Sequence, residues 1–212
     1  MEQSRFNLVK GSRQRVDIMF LADATGSMAN CIAKVQKNII EAWNVFSKST
    51  NWDVQLGVAF YRDNGDAVPF KVLQKITGNQ KLIQDAVNAL IPMGGGDIPE
   101  GQMGALTQIG ILSNTGWRPG ATRIVAWFGD VYGHNPDKIN GVTYTQVGAI
   151  ASLVERNINV CAFSMAPYNQ LDSTGQATAI TTACDGESHV MLNVATQGVV
   201  TTIFNYIKGV EV

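Results

Sequence analysis

Charge is scarce in this sequence. Asp, Glu, Lys and Arg make up 16% of its 212 residues, and 16 basic against 17 acidic side chains leave a formal net charge of −1. No basic field is available to hold a phosphate backbone, which argues against nucleic acid as a partner. Cysteine occurs three times, at Cys31, Cys161 and Cys184, with no CxxC pair. That spacing argues against a structural zinc site and against a disulfide framework, so Cys31 and Cys161 read as small buried hydrophobes. Long apolar runs are missing too. The longest, such as Val54 to Tyr61, fall far short of the roughly 18 residues that a membrane-spanning helix needs. The start, MEQSRFNLVKGSRQR, is polar and shows no apolar segment of a secretory signal. The cytoplasm is therefore the default expectation, with secretion or surface display left open.

What is present is hydrophobic: 45% of the chain, enough for one domain with a substantial core. Residues 1–15 read as an N-terminal extension and 16–212 as that domain. Val16 to Leu21 is a short apolar run ending at Ala22-Asp23, the pattern of a parallel strand covered on both faces. Met28, Ile32, Val35, Ile39, Trp43 and Phe46 then recur at helical spacing, with Ser27 placed as a capping hydroxyl. Val54 to Tyr61 and Ala67 to Leu73 flank Asn64-Gly65, a hairpin signal, and Pro69 puts the second arm at a sheet edge. A helix over 80–91 follows, with Thr77 and Gln80 at capping-box spacing. After Met93-Gly94-Gly95-Gly96-Asp97-Ile98, Pro99 suits the first turn of another helix, and Glu100 complements its positive end.

Arg123 to Phe128 is a second buried strand, ending at Gly129-Asp130. A helix from Thr145 to Arg156 presents Val147, Ile150, Ala151 and Val154 on one side. A strand over 158–163, a short helix near 175–184, a strand over 189–194 and a helix over 197–208 complete the chain. This alternation predicts an α/β domain with a mostly parallel sheet.

In such a sheet, ligands sit beyond the carboxyl ends of the strands. Asp23 and Asp130 each follow a buried strand directly, so both carboxylates project at the same end. Thr25 and Ser27 add hydroxyls at alternate positions of the first loop. Oxygen donors without His or Cys suit a hard cation: Mg²⁺ first, with Mn²⁺ or Ca²⁺ as alternatives.

Asp23-Ala24-Thr25-Gly26-Ser27-Met28 resembles the first motif of the metal-ion-dependent adhesion site (MIDAS) in von Willebrand factor type A (VWA) domains. Gly94-Gly95-Gly96-Asp97-Ile98-Pro99-Glu100 is similar to the glycine-rich second loop of one branch, and Asp130 to the third. Tyr61-Arg62-Asp63 and Trp117-Arg118-Pro119-Gly120-Ala121 are supporting matches, and the resemblance runs from about Val16 to Lys208. It implies a Rossmann-like, doubly wound six-stranded sheet in the order 3-2-1-4-5-6, with one antiparallel edge strand and helices on both faces. It also implies a metal with an open coordination position, completed by an acidic side chain of a partner protein. The expected ligand cluster is Asp23, Thr25, Ser27, Asp97 and Asp130.

Two departures matter. The second loop of the family usually offers a Thr hydroxyl, whereas Asp97 stands here, and a third carboxylate would hold a dication firmly while attracting an anionic partner less. The third loop often reads Asp-Ala-Pro-Pro-His; here it is Asp130-Val131-Tyr132-Gly133-His134. Three further residues line up as rim candidates, each with a plainer reading. Asp63 reads as a turn residue beside Asn64-Gly65, Glu100 as a helix-start charge and His134 as a solvated loop histidine. Asp97 itself has the alternative reading of a helix cap.

The expected function is divalent-metal-dependent binding of another protein, or self-association, without catalysis. A domain whose metal only stiffens its loops is one alternative. A Mg²⁺-dependent phosphatase is another, disfavoured because Thr25 stands where such enzymes often need a second Asp. The glycine run 94–96 lacks the Gly-Lys-Ser/Thr of a phosphate loop.

Overall fold

The computed structural model describes residues 13–192 and 196–209. Strand β1 (Gln14–Asp23) is followed by a 3-10 turn (Gly26–Asn30) and helix α1 (Ile32–Phe46). Then come β2 (Trp52–Tyr61), β3 (Phe70–Thr77), α2 (Gln80–Asn88), α3 (Gln102–Ile109) and α4 (Leu112–Thr115). After β4 (Thr122–Gly129) a hairpin of β5 (Asp137–Ile139) and β6 (Val142–Tyr144) precedes α5 (Gln146–Glu155). The chain continues through β7 (Ile158–Ser164), α6 (Gln176–Asp185), β8 (Val190–Met191) and α7 (Thr196–Gly209).

The fold is mixed α/β. Its main sheet has six strands in the order β3-β2-β1-β4-β7-β8, mostly parallel, with β3 antiparallel at one edge. This departs from the expected 3-2-1-4-5-6 because β5 and β6 pair only with each other, as an inserted ribbon. A signal for that insertion stands in the sequence. Asn140-Gly141 forms its turn with positive φ at both residues (51° and 80°), the backbone a two-residue hairpin demands.

Side chains alternate along β1 and divide the core between two layers. Val16, Ile18 and Phe20 pack with α1, α2 and α7, while Met19 and Leu21 pack with α3, α5 and α6. Burial from both sides explains why the central strands are continuously apolar. The predicted stripe of the first helix is buried throughout, from Met28 to Phe46.

Several local expectations need correction. The α1 helix starts at Ile32, so Ser27 lies in the 3-10 turn and caps nothing. Asn79, not Thr77, caps α2, accepting from the backbone N–H groups of Lys81 and Leu82. The inward face of α5 is Ala149 and Leu153, whereas Val147 is 77% exposed and Val154 half-exposed. Ser152 fixes that rotation by donating its hydroxyl to Thr107 O on α3 at 2.8 Å. Strand β8 covers two residues of the expected 189–194, and 193–194 lie outside the described residues.

One guanidinium gathers the amino-terminal ends of the central strands. Arg118 donates from Nε to Asp17 Oδ1 (2.6 Å), from Nη1 to Asp53 Oδ2 (2.7 Å) and from Nη2 to the carbonyls of Val16 (3.2 Å) and Asp53 (2.7 Å). Its backbone N–H reaches Asp17 Oδ2 at 2.6 Å. Asp17 is fully buried, and burial raises its pKa despite this partner.

Candidate metal centre

At the opposite end, β1 and β4 run parallel and hydrogen-bonded, with Ala22 level with Phe128. Asp23 and Asp130 therefore leave the sheet side by side, and both are fully buried. Asp23 Oδ1 accepts from the Thr25 N–H (2.8 Å) and hydroxyl (2.6 Å). The Thr25 and Ser27 hydroxyl oxygens lie 3.0 Å apart. Asp23 Oδ2 and both oxygens of Asp130 have no hydrogen-bond partner. A buried carboxylate left unpaired is costly, so these are atoms that a cation would relieve.

Glu100 joins them. The helix expected at Pro99 begins instead at Gln102, so Glu100 is no helix-start charge. Its backbone is held by Glu100 N–H to Tyr132 O (3.1 Å) and His134 N–H to Glu100 O (2.9 Å). The residue is 3% exposed and Oε2 lacks a partner. Burial pushes its carboxyl up to about 9, with the charges of Asp23, Asp63 and Asp130 adding to the effect. Burial likewise raises Asp23 to about 7, against the two Thr25 hydrogen bonds and with the Asp130 charge contributing. Burial raises Asp130 as well.

The second loop is fastened to the first. Met93 N–H donates to Ala24 O (2.9 Å), and Gly26 N–H to Gly94 O (3.1 Å). Arg62 ties both loops together, donating from Nε to Ala24 O (3.1 Å) and from Nη2 to Ile91 O (3.0 Å). Gly94 has φ +75°, and a Cβ there would collide with the Asp66 carboxylate, which accepts from the Gly95 N–H at 2.9 Å. These glycines are packing positions. Between the loops opens a cleft of about 500 Å³, lined by Thr25, Ser27, residues 94–96, Asp97, Glu100 and Tyr168.

Asp97 is exposed on this cleft and, with α3 starting at Gln102, is not its cap. Its carboxylate comes together with Asp63 and His134. One donor atom from each lies within 4.8 Å of the other two, so this group could hold a metal ion. Asp63 does serve its turn, accepting from Asn64 N–H at 2.7 Å, yet it is only 6% exposed. His134 is not a solvated loop residue: it is half-buried, with Nε2 3.2 Å from Asp63 Oδ1. The first-loop residues, Asp130 and Glu100 thus form an inner cluster, and Asp97 joins Asp63 and His134 in an outer one.

No protein-family model and no curated protein matches this chain. Solved structures do match. One is the pilus adhesin SpaC from Lactobacillus rhamnosus GG in its open conformation, with a TM-score of 0.62 and 15% identity. The match covers 92% of this chain and 30% of SpaC. At that identity the likeness is one of fold.

Proposed function

We propose that this chain is a VWA-type module that binds a divalent cation at a MIDAS-like site and, through it, an acidic group of a partner protein. The carrying observation is the set of buried carboxylate oxygens without partners on Asp23 and Asp130, at the end of two adjacent strands and beside an open cleft. Asp23, Ser27 and Asp130 would hold the ion, with Thr25 orienting Asp23 and Glu100 beside them. Mg²⁺ suits this all-oxygen set best, with Mn²⁺ and Ca²⁺ as competitors. A dication with a free coordination position attracts a carboxylate strongly where water is partly excluded. The fold shared with a pilus adhesin is in keeping with protein binding.

Glu100 favours a second reading. Three carboxylates around one dication over-compensate it, and such an ion would brace the loops without recruiting a partner. Calorimetry separates the two. Chelator-treated protein should bind Mg²⁺, and the loaded form should then bind acetate or an acidic peptide. Metal binding without any carboxylate binding supports the bracing role, and undiminished metal affinity in Asp23→Ala defeats both readings.

A further inference from the structure

We infer that Asp63, Asp97 and His134 form a second cation site, selective for a borderline first-row dication such as Co²⁺ or Zn²⁺ over Mg²⁺ and Ca²⁺. The geometry is that of a shared ligand set: two carboxylates and an imidazole with donor atoms mutually within 4.8 Å. His134 Nε2 faces Asp63 Oδ1 at 3.2 Å, yet the contact does not meet hydrogen-bond geometry and the nitrogen has no other partner. A ring nitrogen so placed has its bonding capacity to spare. Nearby Glu100, only 3% exposed, has an Oε2 without a partner.

Counting charge leads the same way. Asp23, Asp63, Asp97, Glu100 and Asp130 are gathered here, and among the described residues none of the five forms an ion pair with Lys or Arg. Arg62 donates from Nε and Nη2 to carbonyls and lies over the Phe60 ring at 4.5 Å. A dication held by Asp23 and Asp130 leaves the Asp63 and Asp97 carboxylates without a cation, and a second ion would meet both. The outer site is the one with a nitrogen donor. Imidazole suits transition-metal ions, while Mg²⁺ and Ca²⁺ prefer oxygen throughout, which sets the order of selectivity.

The test counts bound Co²⁺ by equilibrium dialysis of chelator-stripped protein, with circular dichroism to check the fold of each variant. The parent should bind two equivalents, Asp23→Ala one, and His134→Gln or Asp97→Asn one. The outer equivalent should resist displacement by excess Mg²⁺. In the Asp23→Ala background, His134→Gln should weaken Co²⁺ and Zn²⁺ by at least the roughly tenfold that even an outer-sphere partner is worth. A single equivalent that survives His134→Gln overturns this inference and leaves the inner site standing. A single equivalent that survives Asp23→Ala and is lost in His134→Gln supports it and removes the inner site instead.

Discussion

The Thr25 hydroxyl donates to Asp23 Oδ1 at 2.6 Å, and that bond decides which oxygen of Asp23 is free to meet the proposed cation. Together with the Thr25 N–H it saturates Oδ1 and leaves Oδ2 as the atom without a partner. Thr25→Val keeps the shape and removes the donor. Metal affinity should then fall by about 10–100-fold, as for other groups that orient a ligand. Isothermal calorimetry with Mg²⁺ measures this, and an unchanged dissociation constant would mean that the backbone N–H alone positions Asp23.

Removing metal should leave the fold in place, because both faces of the sheet are packed without it. A bound ion adds only the linkage term, about 2.7 kcal/mol at a hundredfold excess over its dissociation constant. That corresponds to roughly 5–10 °C in melting temperature for a domain of this size. A chelated sample without a cooperative transition would contradict this.

Acidity should reverse the role of the site. In the folded chain burial pushes Asp23 up to about 7 and Glu100 up to about 9, from their ordinary 3.8 and 4.5. Each binds its proton more tightly folded than unfolded, so the stability it lends is complete below the unfolded value. It drains away as pH rises through the folded one, by up to about 1.4 kcal/mol per pH unit for each group. Metal-free protein should therefore melt at lower temperature near pH 9 than near pH 5. Metal needs the ionised forms, so its affinity should climb over the same range and its binding should release protons. Calorimetry in buffers of different ionisation enthalpy counts those protons.

Asp23→Asn follows from the same charges. The amide oxygen can keep both Thr25 hydrogen bonds, and the buried negative charge is gone. Metal-free Asp23→Asn should be more stable than the parent above pH 7, by on the order of 2 kcal/mol, with the difference fading towards pH 5. Metal binding should be lost. Parallel melts in chelator across this range check the prediction, and a variant less stable than its parent at high pH would refute it.

Arg118→Ala should act on stability alone. It strands Asp17, fully buried, without its cationic partner. The expected cost is about 3–5 kcal/mol, read from urea unfolding, with Mg²⁺ affinity of the folded fraction unchanged.

Much of the frame was legible because burial on two faces writes itself as unbroken apolar runs, as in Val16 to Leu21. Asp23 and Asp130 were legible as the polar residues that end such runs. Glu100 was not. A helix predicted from Pro99 made it an outward charge, whereas the chain reaches α3 only at Gln102 and turns Glu100 inward first. The pairing of Asp97 with Asp63 and His134 joins three loops far apart in sequence, and no local spacing encodes it. The face of α5 was misread because Val147 and Val154 outweigh Ala149 in hydrophobicity, while close packing favours the small residue.

The position of Arg118 has a consequence for how such a domain can change over generations. The guanidinium fastens β1 and β2 at one end of the sheet, and the carboxylates gather at the other. Substitutions that reshape the rim around Ile98 and Tyr168 leave that fastening untouched. Change at the rim is therefore uncoupled from the contacts that hold the sheet, and loop grafting in the laboratory can exploit that separation.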